Sequence, residues 1–150
     1  GLRIANRLGI AVMTVIDTAG ALISGEQETA GLAGEIAASI DDLLGLDPPS
    51  TAILAGQGSG GAAMAWLAAD RVVAIAAGWL APIAPEAASA IAHRVLDHAA
   101  EMANLQRVGA VELLEAGLID AVVPENEVID AALAALGRPI ADATRGARRR

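Results

Sequence analysis

The glycine-rich run at residues 56–63, Gly-Gln-Gly-Ser-Gly-Gly-Ala-Ala, is the segment of this sequence best suited to chemistry. It lies between an apolar run typical of a strand and an alanine-rich run typical of a helix. The first backbone N–H groups of a helix have no partner within it, and glycine lets the chain turn tightly and a ligand approach closely. The segment can therefore bind an anion or stabilise an oxyanion through main-chain donors.

Three familiar motifs fit this run poorly. It matches G-x-G-x-x-G, but the dinucleotide-binding motif also needs an acidic residue about 20 residues further on, after the next strand. That strand is predicted over residues 71–76, and the next acidic residue is Glu86. A Walker loop is excluded because the chain contains no lysine. The serine elbow G-x-S-x-G needs a glycine where Gln57 stands.

A triad of Ser59, His93 and Asp97 is the remaining nucleophilic arrangement. His93 and Asp97 are four residues apart, so on one helix their side chains share a face. Without the elbow a serine hydrolase is disfavoured, and His93 and His98 are predicted to be ordinary surface or interface histidines. We expect no metal site, because two separated histidines do not form a cluster of ligands and the chain has no cysteine.

Composition narrows the class of protein. The 150 residues are 55% hydrophobic and 19% charged, with a formal net charge of −8 and no cysteine. The acidic balance argues against nucleic-acid binding, which normally uses a basic face. The longest uncharged apolar run, 72–85, contains glycine and proline and is shorter than the roughly 20 residues of a membrane-spanning helix. We expect a soluble, cytoplasmic protein that binds neither nucleic acid nor membrane.

Strand-like and helix-like runs alternate along the chain, which predicts an α/β fold with largely parallel strands. The β-branched run 10–16 is typical of a strand buried on both faces. Strands are predicted over 10–16, 51–55, 71–76, 79–83 and 118–123. Helices are predicted up to residue 8, from 24 to 44, and over 61–68, 88–95, 98–107, 110–116 and 124–136. Gly9 is predicted to close the first helix, and Pro85 to open the one that continues over 88–95, because proline is tolerated in a first turn.

The ends of the chain suggest its place in a larger protein. The sequence has no initiating methionine, and Gly1 begins a segment that reads like the middle of a helix, so we expect a fragment of a longer chain. We predict one domain over residues 1–138 and a flexible basic tail over 139–150.

Asp17 and Thr18 follow the first predicted strand. Ligands collect at the carboxyl ends of parallel strands, so both side chains are candidates for a binding site. An Asx turn that caps the following loop is the simpler interpretation. The residues alone leave both open.

The ordered set of motifs resembles the carboxyltransferase component of acyl-CoA carboxylases, most closely the α-type (C-terminal) half of the acetyl-CoA carboxylase carboxyltransferase. The resemblance covers about Ile4 to Glu125. It is carried by Asp-Thr-Ala-Gly-Ala at 17–21, an acidic helix with Glu28, the glycine-rich run, Ala-Asp-Arg-Val at 69–72 and Ile-Ala-Pro-Glu-Ala at 83–87. The stretch 110–124 also resembles the segment that closes many crotonase-superfamily domains.

The resemblance implies a crotonase/ClpP-like spiral of ββα units. It also implies transfer of a carboxyl group from carboxybiotin, carried on a partner protein, to acetyl-CoA or a related acyl-CoA. In this chemistry the biotin ureido oxyanion takes the α-proton of the thioester, so no side-chain base is needed. The resemblance assigns the backbone donors for that oxyanion to Gly60, Gly61 and Ala62, each worth roughly 3 kcal/mol by analogy with other oxyanion holes.

The resemblance implies further contacts and partners. It assigns biotin or substrate binding to Gly58, Ser59, Pro85, Glu86 and Ala87. It implies a β-type (N-terminal) half that binds acyl-CoA, a biotin carboxyl carrier protein, and a homo- or hetero-oligomer that acts in fatty acid biosynthesis. The family's four-cysteine zinc ribbon, where it exists, lies in that other half, so no metal is expected in this chain.

The chain departs from the family's motifs at several positions. Ala19 replaces a proline, Gln57 a glutamate and Ala62 a glycine, while Ala84 and Ala87 replace the serine and glycine of an Ile-Ser-Pro-Glu-Gly turn. Alanine keeps its backbone N–H but not easy access to positive φ. If the family's glycine at the position of Ala87 has positive φ, we expect this turn to be reshaped.

These departures motivate two alternatives to a carboxyltransferase. One is another crotonase-superfamily acyl-CoA enzyme, a hydratase or isomerase, for which Glu86 is the candidate carboxylate. The other is a catalytically weakened scaffold subunit that keeps the fold.

Overall fold

The computed structural model describes residues 1–21, 25, 29 and 31–137. The predicted helix start at residue 24, Glu28 within that helix, and the tail at 139–150 lie outside the described residues. The strands are β1 (Val12–Thr18), β2 (Ser50–Ser59), β3 (Arg71–Ile75), β4 (Trp79–Ala81) and β5 (Ala121–Val123). The helices are α1 (Leu2–Leu8), α2 (Leu32–Leu44), α3 (Gly60–Met64), α4 (Pro85–His93), α5 (Ala99–Gln106), α6 (Ala110–Glu115) and α7 (Val128–Leu136), with 3₁₀ turns at Ala65–Ala68 and Glu125–Glu127.

The sheet is parallel, as the alternation of strands and helices predicted. Strands β1, β2, β3 and β5 lie side by side in that order, and β4 pairs with β2 outside this row. Each of these pairings is parallel. All five strands therefore point the same way, and the turns that follow their carboxyl ends gather at one edge of the sheet.

Strand β2 is the longest and connects the row to β4. Its residues 51–54 pair with β3, and its residues 57–59 pair with β4. The prediction that this strand ends at residue 55 was wrong, because β1 and β4 supply partners for the glycine-rich backbone that follows. Gly58 is needed there, since a Cβ atom would lie 3.2 Å from the carbonyl oxygen of Trp79 and 3.3 Å from Cγ2 of Ile16.

Two hydrophobic clusters cover the two faces of the sheet. Ile53 and Val73 pack with Val128 of α7 in one cluster. The next residue in β2, Leu54, belongs to the other cluster, together with Leu43 of α2. Side chains alternate between faces along a strand, so consecutive apolar residues serve both layers. This is the pattern expected of parallel strands covered on both sides.

Strand β1 departs from the prediction of burial on both faces. Ile16 is buried, but Val15 is 61% exposed. The reason is that β1 lies at the end of the row, while α7, which covers this face of the sheet, packs on β2 and β3. Helix α1 packs against α2, where Nε of Arg3 donates a 2.8 Å hydrogen bond to the carboxylate of Asp42 and this bond raises the pKa of Arg3.

Helix boundaries follow local backbone signals. Gly9, with φ 66°, ends α1 as predicted, and Pro85 occupies the first turn of α4, where its missing N–H costs nothing. Helix α4 ends at His93, two residues before the predicted end, because Arg94 takes a left-handed conformation with φ 64°. None of the helices in the described ranges combines the length and the apolar composition that crossing a bilayer requires.

Candidate active site

A cavity of about 310 Å³ opens where three chain segments meet beyond the carboxyl ends of the strands. The segments are the turn after β1 (residues 19–21), the junction of β2 with α3 (residues 59–62), and the passage from β4 into α4 (residues 82–84 with Ala87). Leu32 and Ile36 of α2 also line it. The parallel sheet therefore brings together three of the motifs on which the family resemblance rests.

The junction of β2 with α3 contains the predicted main-chain donors. Ser59 is extended with φ −120°, and Gly60 turns the chain with φ 79°. The side chain of Ser59 makes no capping hydrogen bond to α3. The backbone N–H groups in the first turn of α3 therefore do not have the Ser59 hydroxyl as their acceptor. Gly61 and Ala62 follow at the wall of the cavity. A Cβ atom at Gly61 would lie 3.8 Å from Cδ1 of Ile36, an ordinary contact.

The turn after β1 packs tightly against this junction. Gly20 has φ 98°, and its N–H donates a 3.1 Å hydrogen bond to Oγ1 of Thr18. A Cβ atom at Gly20 would lie 3.0 Å from the carbonyl oxygen of Ser59. Both its conformation and this close approach require glycine. The Asp-Thr-Ala-Gly motif therefore fixes the position of Ser59 and of the helix start that follows it.

The described part of the cavity lining carries no formal charge. None of the described residues that line it has an ionisable side chain, and Ser59 contributes a hydroxyl group. Alanine, glycine, leucine, isoleucine and proline form the rest of the wall. A negatively charged oxygen in this cavity would therefore depend on backbone N–H groups and on the Ser59 hydroxyl. Such donors are worth more in an apolar, low-dielectric site than in water.

Alanine fits the start of α4 without strain. Ala84 precedes the helix with φ −55°, and Ala87 lies inside the first turn of α4. Neither is among the described residues with positive φ. The substitution of alanine for the family's glycine at Ala87 is therefore compatible with the backbone conformation here, and both residues reach the cavity.

The other predicted binding residues lie elsewhere. Gly58 is buried within the sheet. Pro85 and Glu86 line a neighbouring cavity of about 350 Å³, which Glu112 of α6 also lines. Of the predicted set, Ser59, Gly60, Gly61, Ala62 and Ala87 share one cavity. The carboxylate on which a hydratase would depend is thus in the other cavity.

The Ser59–His93–Asp97 triad is not assembled. His93 is the last residue of α4, and the left-handed Arg94 turns the chain away before Asp97, so the two do not share a helix face. His93 is absent from the described lining of the cavity that contains Ser59. Its ring instead stacks on that of His98, with centroids 4.1 Å apart.

The two histidines do come together, contrary to the sequence-based expectation. Their rings lie beside Glu101, and Nδ1 of His98 is 2.9 Å from Oε2 of that residue. Sequence reasoning missed this cluster because the turn between α4 and α5, which brings the two helices together, has no clear signal in the residues. It also missed Leu32 and Ile36 in the cavity wall, since they belong to a helix distant in sequence.

Several solved structures of enzymes share this architecture. Transcarboxylase 12S, a hexamer solved with methylmalonyl-coenzyme A and methylmalonic acid, matches with a TM-score of 0.73 and 21% identity over 94% of this chain and 31% of its own. A Pseudomonas malonate decarboxylase matches with a TM-score of 0.72 and 17% identity over 96% of this chain and 66% of its own. An enoyl-CoA hydratase from Mycobacterium avium matches with a TM-score of 0.61 and 22% identity over 98% of this chain and 69% of its own. The chain therefore has a crotonase-type α/β fold.

Sequence comparison gives the family within this class. Residues 1–135 match the family described as acetyl co-enzyme A carboxylase carboxyltransferase-like, and the chain belongs to it. A probable biotin-dependent acyl-coenzyme A carboxylase beta3 subunit from Mycobacterium tuberculosis is 49% identical over 83% of this chain and 25% of the relative. The acetyl-coenzyme A carboxylase carboxyl transferase subunit alpha of Sphingopyxis alaskensis is 37% identical over 91% of this chain and 45% of the relative. The chain spans less than half the length of either relative.

Proposed function

We propose that this chain supplies the C-terminal part of a biotin-dependent acyl-CoA carboxyltransferase. Its cavity at residues 59–62 would hold the negatively charged oxygen that develops during carboxyl transfer. The observation that carries the proposal is a cavity bounded by the start of α3, with no ionisable side chain among its described lining residues, in a chain of the carboxyltransferase family. The same proposal includes acetyl-CoA or a related acyl-CoA as acceptor and a cytoplasmic role in fatty acid biosynthesis.

The residues of the cavity suit a biotin ring. A volume of about 310 Å³ lies at the lower end of the range typical of small-molecule sites. The small side chains of Ala62, Ala84 and Ala87 leave room for a flat bicyclic group, and Ile36 offers an apolar face. When bound, carboxybiotin would supply the carboxyl group.

The chain's own contribution is to hold charge and exclude water. The amides of Gly61 and Ala62 belong to the first turn of a helix, where N–H groups lack intrahelical partners and can donate to an oxyanion. Gly60 aims them by its positive φ, and the close contact of Gly20 with Ser59 keeps the junction rigid. A donor that needs no reorganisation stabilises the transition state most.

A β-type half is the proposed partner, together with a biotin carboxyl carrier protein. The chain leaves an apolar edge exposed at α1 and β1, where Ile4, Leu8 and Val15 are 58%, 63% and 61% exposed. An edge strand with apolar neighbours is a surface that proteins normally cover. This edge is suited to the other half of the carboxyltransferase, which would provide the acyl-CoA site.

The proposal is tested by biotin-dependent carboxyl exchange between malonyl-CoA and acetyl-CoA, using the protein assembled with its β-type half and biotinylated carrier. Gly61→Val should abolish exchange, because the new methyl groups enter the cavity beside Ile36. Gly34→Val is the matched control, since Gly34 is an exposed residue of α2 with no atom near its missing Cβ. It should retain exchange.

Other outcomes would contradict the proposal. Full exchange in Gly61→Val would refute the placement of the oxyanion site. Hydration of a crotonyl thioester without biotin would identify a hydratase. Tight association with the β-type half but no turnover in the wild-type protein would identify a scaffold subunit.

A further inference from the structure

We propose that His93, His98 and Glu101 form a binding site for a divalent transition metal ion such as Zn²⁺, on the surface of the hairpin made by α4 and α5. One potential ligand atom from each of the three side chains lies within 4.8 Å of the others. The site is separate from the cavity at residues 59–62, whose described lining includes none of these side chains.

The separations within the cluster are close to those of a coordination shell. Nδ1 of His98 and Oε2 of Glu101 are 2.9 Å apart. Two ligand atoms that each lie about 2.1 Å from one ion are about 3.4 Å from each other at the tetrahedral angle, so a small outward shift lets a metal ion replace the proton that these two atoms share. His93 needs only rotation of an exposed ring, which now stacks on His98 at a centroid distance of 4.1 Å.

The backbone that carries the ligands is held in place by a buried hydroxyl group. Ser89 of α4 is 0% exposed. Its Oγ donates a 2.6 Å hydrogen bond to the carbonyl oxygen of Val95 and accepts a 3.2 Å bond from the N–H of His98. These bonds fix the turn between the helices and set His98 opposite His93. The site is thus preorganised by a side chain that is not itself a ligand.

The donor set selects the kind of ion. Two imidazoles and one carboxylate suit Zn²⁺, Co²⁺, Ni²⁺ or Cu²⁺, whereas Mg²⁺ and Ca²⁺ prefer oxygen ligands throughout. The chain has no cysteine that could offer a thiolate. Three protein ligands leave at least one position for water or for a group from another molecule.

The position of the cluster indicates a structural role. It lies at the end of α4, about 12 Å along the helix axis from Pro85, since an α-helix rises about 1.5 Å per residue. A metal ion there joins the end of α4 to the start of α5 and stiffens the hairpin. It does not reach the cavity at the other end of α4.

Titration of the untagged protein with Co²⁺, followed by the visible absorption of the bound ion, tests the proposal directly. The chain contains only these two histidines. Wild-type protein should bind one more equivalent of Co²⁺ than the His93→Ala/His98→Ala double variant. Addition of Zn²⁺ should displace that additional Co²⁺. Each single variant, and Glu101→Gln, should bind at least about tenfold more weakly, because loss of even an outer-shell partner costs about 10- to 100-fold.

One control variant and one independent measurement complete the test. Asp97→Asn changes an exposed carboxylate between the histidines in the sequence and should leave the affinity unchanged. In the wild-type protein alone, the imidazole C–H resonances of both histidines should shift on addition of Zn²⁺. Equal Co²⁺ stoichiometry and affinity in the wild-type protein and the double variant would overturn the proposal. Unchanged imidazole resonances at saturating Zn²⁺ would also overturn it.

Discussion

Oδ1 of Asp17 accepts a 3.2 Å hydrogen bond from the backbone N–H of Gln57. The bond lies where the pairing of β1 with β2 changes register, between Ile16 opposite Leu54 and Thr18 opposite Gly58. β2 thus has two more residues than β1 between these pairs, and the carboxylate occupies the space beside its irregular backbone. Asp17 therefore supports the strand that leads to the candidate active site, which neither sequence-based interpretation foresaw.

Asp17→Ala should lower the free energy of unfolding by about 1 kcal/mol, because it removes the acceptor of one hydrogen bond at a largely exposed position. Exchange activity should fall as well, since the path of residues 57–60 is no longer fixed. Asp17→Asn keeps an oxygen acceptor and serves as the control. Urea denaturation of both variants measures the difference, and equal stability in the two would contradict this role.

Gly20→Ala should destabilise the protein by about 1 to 3 kcal/mol. The substitution forces an L-residue to φ 98° and brings its Cβ to 3.0 Å from the carbonyl oxygen of Ser59. Gly34→Ala, in the exposed part of α2, should instead be stabilising by up to about 1 kcal/mol, because alanine is the better helix former. Opposite signs of the two changes in urea denaturation are the expected result. Unchanged stability in Gly20→Ala would show that the turn tolerates a side chain.

Gly60 and Gly61 should respond differently to alanine, although they are adjacent. Gly60→Ala places a side chain at φ 79° and should cost about 1 to 3 kcal/mol of stability. Gly61→Ala meets only an ordinary contact with Ile36 and should fold like the wild-type protein. Thermal unfolding of the two variants checks this prediction. A stable Gly60→Ala variant with full exchange activity would mean that the positive φ is not required.

Ser89→Ala should lower the free energy of unfolding by about 1 to 3 kcal/mol, because it removes two part-buried hydrogen bonds, one to the carbonyl of Val95 and one from the N–H of His98. It should also weaken Co²⁺ binding, since His98 loses its fixed position. Ser39→Ala is the control: its hydroxyl bonds the carbonyl of Glu35 within α2, and its removal should be close to neutral. Unchanged Co²⁺ affinity in Ser89→Ala would show that Ser89 does not position His98.

Local sequence signals predicted the type of most elements but several of their ends only approximately. Gly9 and Pro85 marked helix boundaries correctly, because each acts through its own backbone. Strand β2 ran past its predicted end because pairing with β4 outweighs the low strand preference of glycine. The exposure of Val15 could not be predicted either, since a strand's place at the end of a row is a property of the whole sheet.

The order of the motifs by itself determined the family and directed attention to residues 59–62. Composition and spacing could do this because each motif needs particular residues in its own short stretch of backbone. Only the tertiary structure decided which motifs share a cavity: it put Ala87 and Gly61 in one cavity and Glu86 in the neighbouring one, and it brought two histidines to one carboxylate. The physical reason is that parallel pairing and helix packing join segments distant in the chain, and a helix turn of about 100° per residue sends adjacent side chains to different surfaces.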